Sequence, residues 1–167
     1  MKLAMRFLLP ALLAVAVVAQ VRRSSDLMRA QHLMWGVELR TMALMRSGSF
    51  DKLKLRGNIE ALRDAQALDP AEIGIATLIG SQYLLLGELE SARKAYWAAN
   101  LLEPRPEIIL NLGKTCYSQN QPMRAARFFA QAVLLDPRLI QEVPEDFRAR
   151  VLDALRSQDD ADGADED

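Results

Sequence analysis

GSQYLLLGELESARKAYWAANLLEP, spanning Gly80–Pro104, and GKTCYSQNQPMRAARFFAQAVLLDP, spanning Gly113–Pro137, decide the fold. Laid over each other at a shift of 33 residues, Gly80, Ala92, Tyr96, Ala99 and Pro104 meet Gly113, Ala125, Phe129, Ala132 and Pro137. With Tyr83 and Cys116 these are six patterned pairs, of which five are identical or aromatic for aromatic and only Tyr83 against Cys116 breaks rank. A fixed period of this length marks stacked supersecondary units, each too small to bury its own apolar face. Each residue type has a mechanical reason. The small Gly80 and Ala92 let two helices approach, and bulky Tyr96 alternates with small Ala99 so that facing surfaces interdigitate. Pro104 and Pro137 stop helices, because proline lacks an amide donor and clashes with the preceding turn. The pattern predicts helices near 71–86 and 88–102, with Gly87 between them, then near 106–118 and 122–135, with Pro122 in a first turn.

These residues resemble the tetratricopeptide repeat family, whose 34-residue helix–turn–helix unit carries Gly, Tyr, Ala, an aromatic, Ala and Pro at the same offsets. The resemblance covers about 73–138. It departs from the family pattern at Ala76 and Ile109, which stand where the family has an early Trp. It departs again at Cys116 and in a repeat one residue short around Arg105-Pro106. Upstream, Leu62, Ala65 and Pro70 fit the close of a preceding, degenerate unit. Its turn is Ser47-Gly48-Ser49 and its long second helix runs from about 51 to 68. Downstream, Pro144-Glu145-Asp146 opens a helix whose Phe147, Val151, Leu152 and Leu155 form one apolar stripe, suited to a terminal cap.

The expected fold is therefore all-α, a short helix–turn–helix solenoid preceded by an N-terminal hydrophobic membrane helix. No alternating Val/Ile/Thr run reads as a strand. The expected segments are 1–23 as hydrophobic anchor or signal sequence and 24–70 as an amphipathic helix pair forming the degenerate repeat. Residues 71–138 form the two repeats, 139–157 the capping helix and 158–167 an acidic disordered tail.

Two readings compete for the apolar run Phe7–Val21, which follows Lys2 and Arg6. A cleaved signal peptide would be cut after Ala19. An uncleaved single-pass anchor is favoured, because nothing breaks the helix near Ala19 and Arg22-Arg23 follow at once. Fifteen helical residues span about 22 Å, and Leu3–Met5 with a snorkelling Arg6 bring the segment nearer the width of a bilayer core. The sidedness signals conflict. Arg22, Arg23, Arg29 and Arg40 behind the run argue for cytoplasmic repeats, whereas a charged start followed by an apolar run is how exported chains begin. The exported, periplasm-like side is slightly favoured.

Charge is uneven. Residues 22–56 carry eight Lys/Arg against three acids, and 159–167 carry six acids and no base. The basic half suits anionic headgroups and the tail suits a solubilising segment, with docking to a basic partner as its alternative role. Nucleic acid is excluded by a pI near 5.9 and by the absence of a basic-aromatic recognition motif. Six of seven methionines lie at or before Met45. Met28, Met34, Trp35 and Met42 fall in an apolar segment, 27–45, that reads either as packing against the first repeat or as a membrane-proximal interface.

Reactive constellations are missing. The one histidine, His32, has no second histidine or cysteine nearby, and no glycine-rich phosphate loop occurs, so no metal, cofactor or small-molecule substrate is expected. Cys116 reads as a small buried hydrophobe. The resemblance implies a concave binding face lined by the first helix of each unit. Here that is Thr77, Leu78, Ser81 and Leu84, then Leu110, Asn111, Lys114 and Tyr117. Asn111 is suited to hold an extended peptide backbone and Lys114 to attract a carboxylate. The implied function is a non-enzymatic protein–protein interaction module, a membrane-tethered scaffold or assembly factor for another membrane or envelope protein. The alternative is a constitutive subunit of a membrane complex, held by its N-terminal helix and segment 27–45.

Overall fold

The computed structural model describes residues 2–48 and 50–163, with side chains over 12–48 and 50–156. Seven α-helices make up the described chain: α1 Lys2–Ser47, α2 Lys52–Leu68, α3 Ile73–Leu86, α4 Leu89–Leu102, α5 Pro106–Ser118, α6 Pro122–Leu135 and α7 Glu145–Gly163. A 3-10 turn, Pro137–Glu142, joins α6 to α7. Helices pair as α1 with α2, α3 with α4 and α5 with α6, and each pair packs on the next. The result is an all-α helical repeat.

The core follows the same order, as three apolar clusters in series. Ala30, Val37, Leu62, Ala65, Ile75 and Ile79 join α1, α2 and α3. Ala76, Ala92, Tyr96, Ala99, Ile108 and Leu112 join α3, α4 and α5. Ile109, Cys116, Ala125, Phe129 and Ala132 meet Leu139, Val143, Phe147 and Val151 of the cap. Each cluster touches only its neighbours, the quasi-one-dimensional cohesion of a solenoid.

The repeat's glycine and aromatic form one device. A Cβ on Gly80 would lie 2.7 Å from the Tyr96 ring, and one on Gly113 would lie 2.6 Å from the Phe129 ring. Each glycine is the seat of the ring from the second helix of its own pair. The turns are also alike. Gly87 ends α3 at φ 75°, in the left-handed region, where Glu88 N–H donates to the Tyr83 carbonyl. One repeat later Asn120 stands at φ 55°, and Gln121 N–H donates to the Cys116 carbonyl. Glycine and asparagine are the residues that tolerate this closure.

The first pair departs from expectation. α1 is one continuous helix from Lys2 to Ser47, running unbroken through Ser24, Ser25 and Asp26 and across the expected boundary between segments 1–23 and 24–70. No helix among the described residues is long and apolar enough to cross a membrane, so the membrane helix gains no support from the structure. The side chains of Phe7–Ala11, part of the apolar run, lie outside the described residues.

From Ala30 onward α1 buries one stripe, Ala30, Val37, Thr41 and Leu44, against the repeats. A buried polar network fixes it there. Gln82 Nε2 of α3 donates to Thr41 Oγ1 of α1 at 3.0 Å. Asn58 Nδ2 of α2 donates to Gln82 Oε1 at 3.1 Å, and Arg40 Nε donates to Asn58 Oδ1 at 2.8 Å. Sliding α1 along its groove would strand these groups without partners, at roughly 1–3 kcal/mol each.

The cap differs in detail. Phe147 and Val151 are buried and Leu155 is partly so, but Leu152 is exposed. The segment expected to be disordered from residue 158 begins inside α7, which continues to Gly163. Residues 164–167 lie outside the described residues.

Candidate interaction surface

The expected binding face lies on α3 and α5, and the structure treats its residues unequally. On α3, Ser81 Oγ donates to the Thr77 carbonyl at 3.1 Å and shares a hydrogen bond of 3.0 Å with the Tyr96 hydroxyl. Burial pushes the Tyr96 phenol up from its ordinary value, and the Ser81 contact partly offsets that. Leu84 leans on the cluster around Tyr96, so it serves packing as well as surface. Leu78 likewise packs against the first cluster.

On α5, Leu110 is buried in the cap cluster and lines no surface. Lys114 is already paired: its Nζ donates to Glu142 Oε2 of the 3-10 turn at 2.8 Å. Its expected carboxylate is therefore internal. The Tyr117 hydroxyl donates to Asp146 Oδ2 at 3.3 Å, and its ring meets Phe147 edge-on at 5.3 Å. Lys114 and Tyr117 thus brace the cap. Asn111 is different. Half-buried, it lends its carbonyl to Thr115 Oγ1 at 2.8 Å, while its side-chain amide has no partner among the described residues. That amide retains both donor and acceptor capacity. No hydrogen bond joins the α3 set to the α5 set among the described residues.

The four candidates on α1 divide as well. Met34 packs into the first cluster and against Gly74. Met28, Trp35 and Met42 are 71%, 66% and 52% exposed. Spaced by seven, they line the side of α1 opposite Ala30, Val37 and Leu44.

Neither the pairings of the buried triad Thr41, Asn58 and Gln82 nor those of the cap's Glu142 and Asp146 stood out in the sequence, since the partners lie 17 to 41 residues away. Among the described residues no group of three or more His, Cys, Asp or Glu could hold a metal ion. Cys116 is buried, and desolvation pushes its thiol up from the ordinary value against the weaker pull of Arg124 and Arg93.

Serial helix pairs, glycine-seated rings and left-handed closures define the class of a TPR-like helical-repeat protein. Among solved structures the chain is similar to a thermophilic TPR protein of Thermus thermophilus, with 29% identity and a TM-score of 0.51. The match covers 62% of this chain and 51% of that protein, so the chain spans about half of its relative's length. No protein-family model matches the sequence, and no curated protein does. The fold is that of a protein-interaction module, a class that is generally non-enzymatic.

Proposed function

We propose that this chain is a membrane-tethered scaffold or assembly factor, without enzymatic activity, whose repeats hold a membrane or envelope protein on the exported side. The observation that carries the reading is the unpartnered Asn111 amide on the first helix of a TPR-like unit, among neighbours already committed to packing. An extended backbone offers the donor–acceptor pair that such an amide lacks. Thr77, Ser81 and Leu84 supply the rest of the face, and Lys114 and Tyr117 hold its far edge through the cap. The tether is the apolar run Phe7–Val21 at the outer end of α1, which contacts lipid in this reading.

A second reading is favoured by the exposed Met28, Trp35 and Met42. In it the chain is a constitutive subunit docked through the outer side of α1. Removing residues 1–46 would not separate the two readings, because it would strip Ala30, Val37 and Thr41 from the core. Site-specific photo-crosslinking in the full-length protein does separate them. A crosslinker at Asn111 that traps a discrete partner in native membranes supports the groove. Trapping only from Trp35 supports the subunit. Trapping from neither refutes both. Release of the full-length protein by alkaline carbonate would remove the tether from either reading.

A further inference from the structure

Adjacent repeats form equivalent clefts between their second helices, and the two are furnished differently. The earlier cleft, about 330 Å³, lies between α2 and α4 over α3. The later one, about 360 Å³, lies between α4 and α6 over α5. Moving 33 residues along the chain carries Tyr83, Ser91, Lys94 and Ala95 of the first onto Cys116, Arg124, Arg127 and Phe128 of the second.

The earlier cleft holds two cations, Arg63 and Lys94, and the aromatic engages the first, since Arg63 Nη2 donates to the Tyr83 hydroxyl at 2.7 Å. In the later cleft the short Cys116 replaces that tyrosine, and no hydroxyl remains to engage a guanidinium. Aromatic surface comes instead from Phe128 and from Trp97, which is 45% exposed. Three guanidiniums line the walls. Arg93 is held by Glu90 through bonds of 3.0 and 2.6 Å. Arg124 reaches only the amide oxygen of Gln121, at 3.3 Å. Arg127 pairs with no carboxylate among the described residues. Two positive charges therefore stand uncompensated beside an indole and a phenyl ring.

We propose that this cleft is a second protein-binding site, and that it takes a peptide segment in which a carboxylate side chain neighbours a bulky apolar one. A guanidinium matches a carboxylate through paired, charge-assisted hydrogen bonds, and Trp and Arg are among the residue types enriched at binding hot spots. The volume sits at the low end of ligand pockets, roughly 300–1,000 Å³, which is room for a short segment only. The site shares no residue with the α3/α5 face. It rests on the reading of the chain as a protein-binding module, but not on that face.

The test is a titration of the full-length, 15N-labelled protein in detergent with the peptide acetyl-Ala-Glu-Leu-Glu-Leu-Ala-amide. The Trp97 indole signal is distinguished from Trp35 with Trp35→Phe. The expected result is a saturable shift of the Trp97 indole. Affinity falls roughly tenfold or more in Arg124→Gln/Arg127→Gln and for the Gln-for-Glu peptide, the loss of a charge-assisted contact. Neither arginine side chain is part of the buried core, so the variant keeps its fold, and an unchanged thermal midpoint verifies that. Equal binding of the Gln peptide, or a silent Trp97, overturns the proposal. Inorganic phosphate giving the same shift and competing with the peptide would make this a plain anion site and also overturns it. A response confined to the Asn111 amide overturns the cleft while leaving the module reading in place.

Discussion

Two glycine-to-alanine substitutions, in helices of the same domain, are expected to have opposite signs. Gly57 lies within α2 with nothing within 4 Å of where a Cβ would stand. Gly57→Ala should stabilise by about 0.5–1 kcal/mol, the ordinary gain of restricting the chain in a helix interior. Gly113 also lies within a helix, but its Cβ would fall 2.6 Å from Cδ1 and Cε1 of Phe129 and 3.3 Å from Cβ of Phe128. Carbon atoms in contact prefer about 3.5–4.0 Å, so the overlap is close to 1 Å. Phe129 is fully buried and stacks edge-on against Phe147 at 5.7 Å, so its ring cannot retreat without moving the cap. Overpacking of this kind costs roughly 1–3 kcal/mol, against about 1 kcal/mol gained in propensity. The net expectation for Gly113→Ala is destabilisation of up to about 2 kcal/mol, or up to about 4–8 °C in thermal midpoint for a chain this size. Urea and thermal unfolding followed by far-UV circular dichroism measure both variants. If Gly113→Ala stabilises as Gly57→Ala does, the account of the repeat glycine as a seat for the ring is wrong.

Three further outcomes are expected. Asn120→Gly should stabilise by about 0.5 kcal/mol, because glycine adopts the left-handed closure at φ 55° without a Cβ clash; a loss of stability in the same assay would contradict this. Gln82→Leu should cost about 2–4 kcal/mol by stripping partners from Asn58 and Thr41, and protection of the Asn58 amide from hydrogen exchange should fall with it. Alkali should weaken the fold. Cys116 and Tyr96 both have values raised by burial, so the folded chain keeps protons that the unfolded chain gives up. That stability is intact below the unfolded thiol value, near 8.5, and declines as pH climbs through the thiol and phenol range. Thermal midpoints between pH 8 and 11 should fall less steeply in Cys116→Ala/Tyr96→Phe than in the unaltered protein.

What could be read from the sequence was whatever recurs or lies close in the chain. Gly80 with Tyr96 and Gly113 with Phe129 repeat at a fixed interval, and the interval alone implies paired helices in series. Asp51 announces α2 locally, accepting from the amide of Leu53 at 2.9 Å. The Ser24-Ser25-Asp26 triplet leaves α1 unbroken for a physical reason. These residues favour caps, but inside a helix each costs only several tenths of a kcal/mol, which the flanking helix formers outweigh. Pairings between distant positions were invisible. Nothing near Thr41, Asn58 and Gln82 marks them as a set, and nothing beside Lys114 points to Glu142. The site suffers most, because Lys114, read by itself, offers a free cation where the folded chain has a neutral pair.

The continuity of α1 has a mechanical consequence. Side chains over residues 12–25 are almost all exposed, and burial against the repeats begins only at Ala30. Residues 2–25 thus form a rod about 36 Å long at 1.5 Å per residue. A flexible linker of that length would wander over an average reach of about 27 Å and leave the repeats free to tumble. A rod that passes unbroken into a network-locked helix transmits direction as well as distance. Whatever grips its outer end sets the heading of the repeat faces and confines them to a shell of nearly constant radius, so that the arm acts as a gauge of how far away a partner must stand.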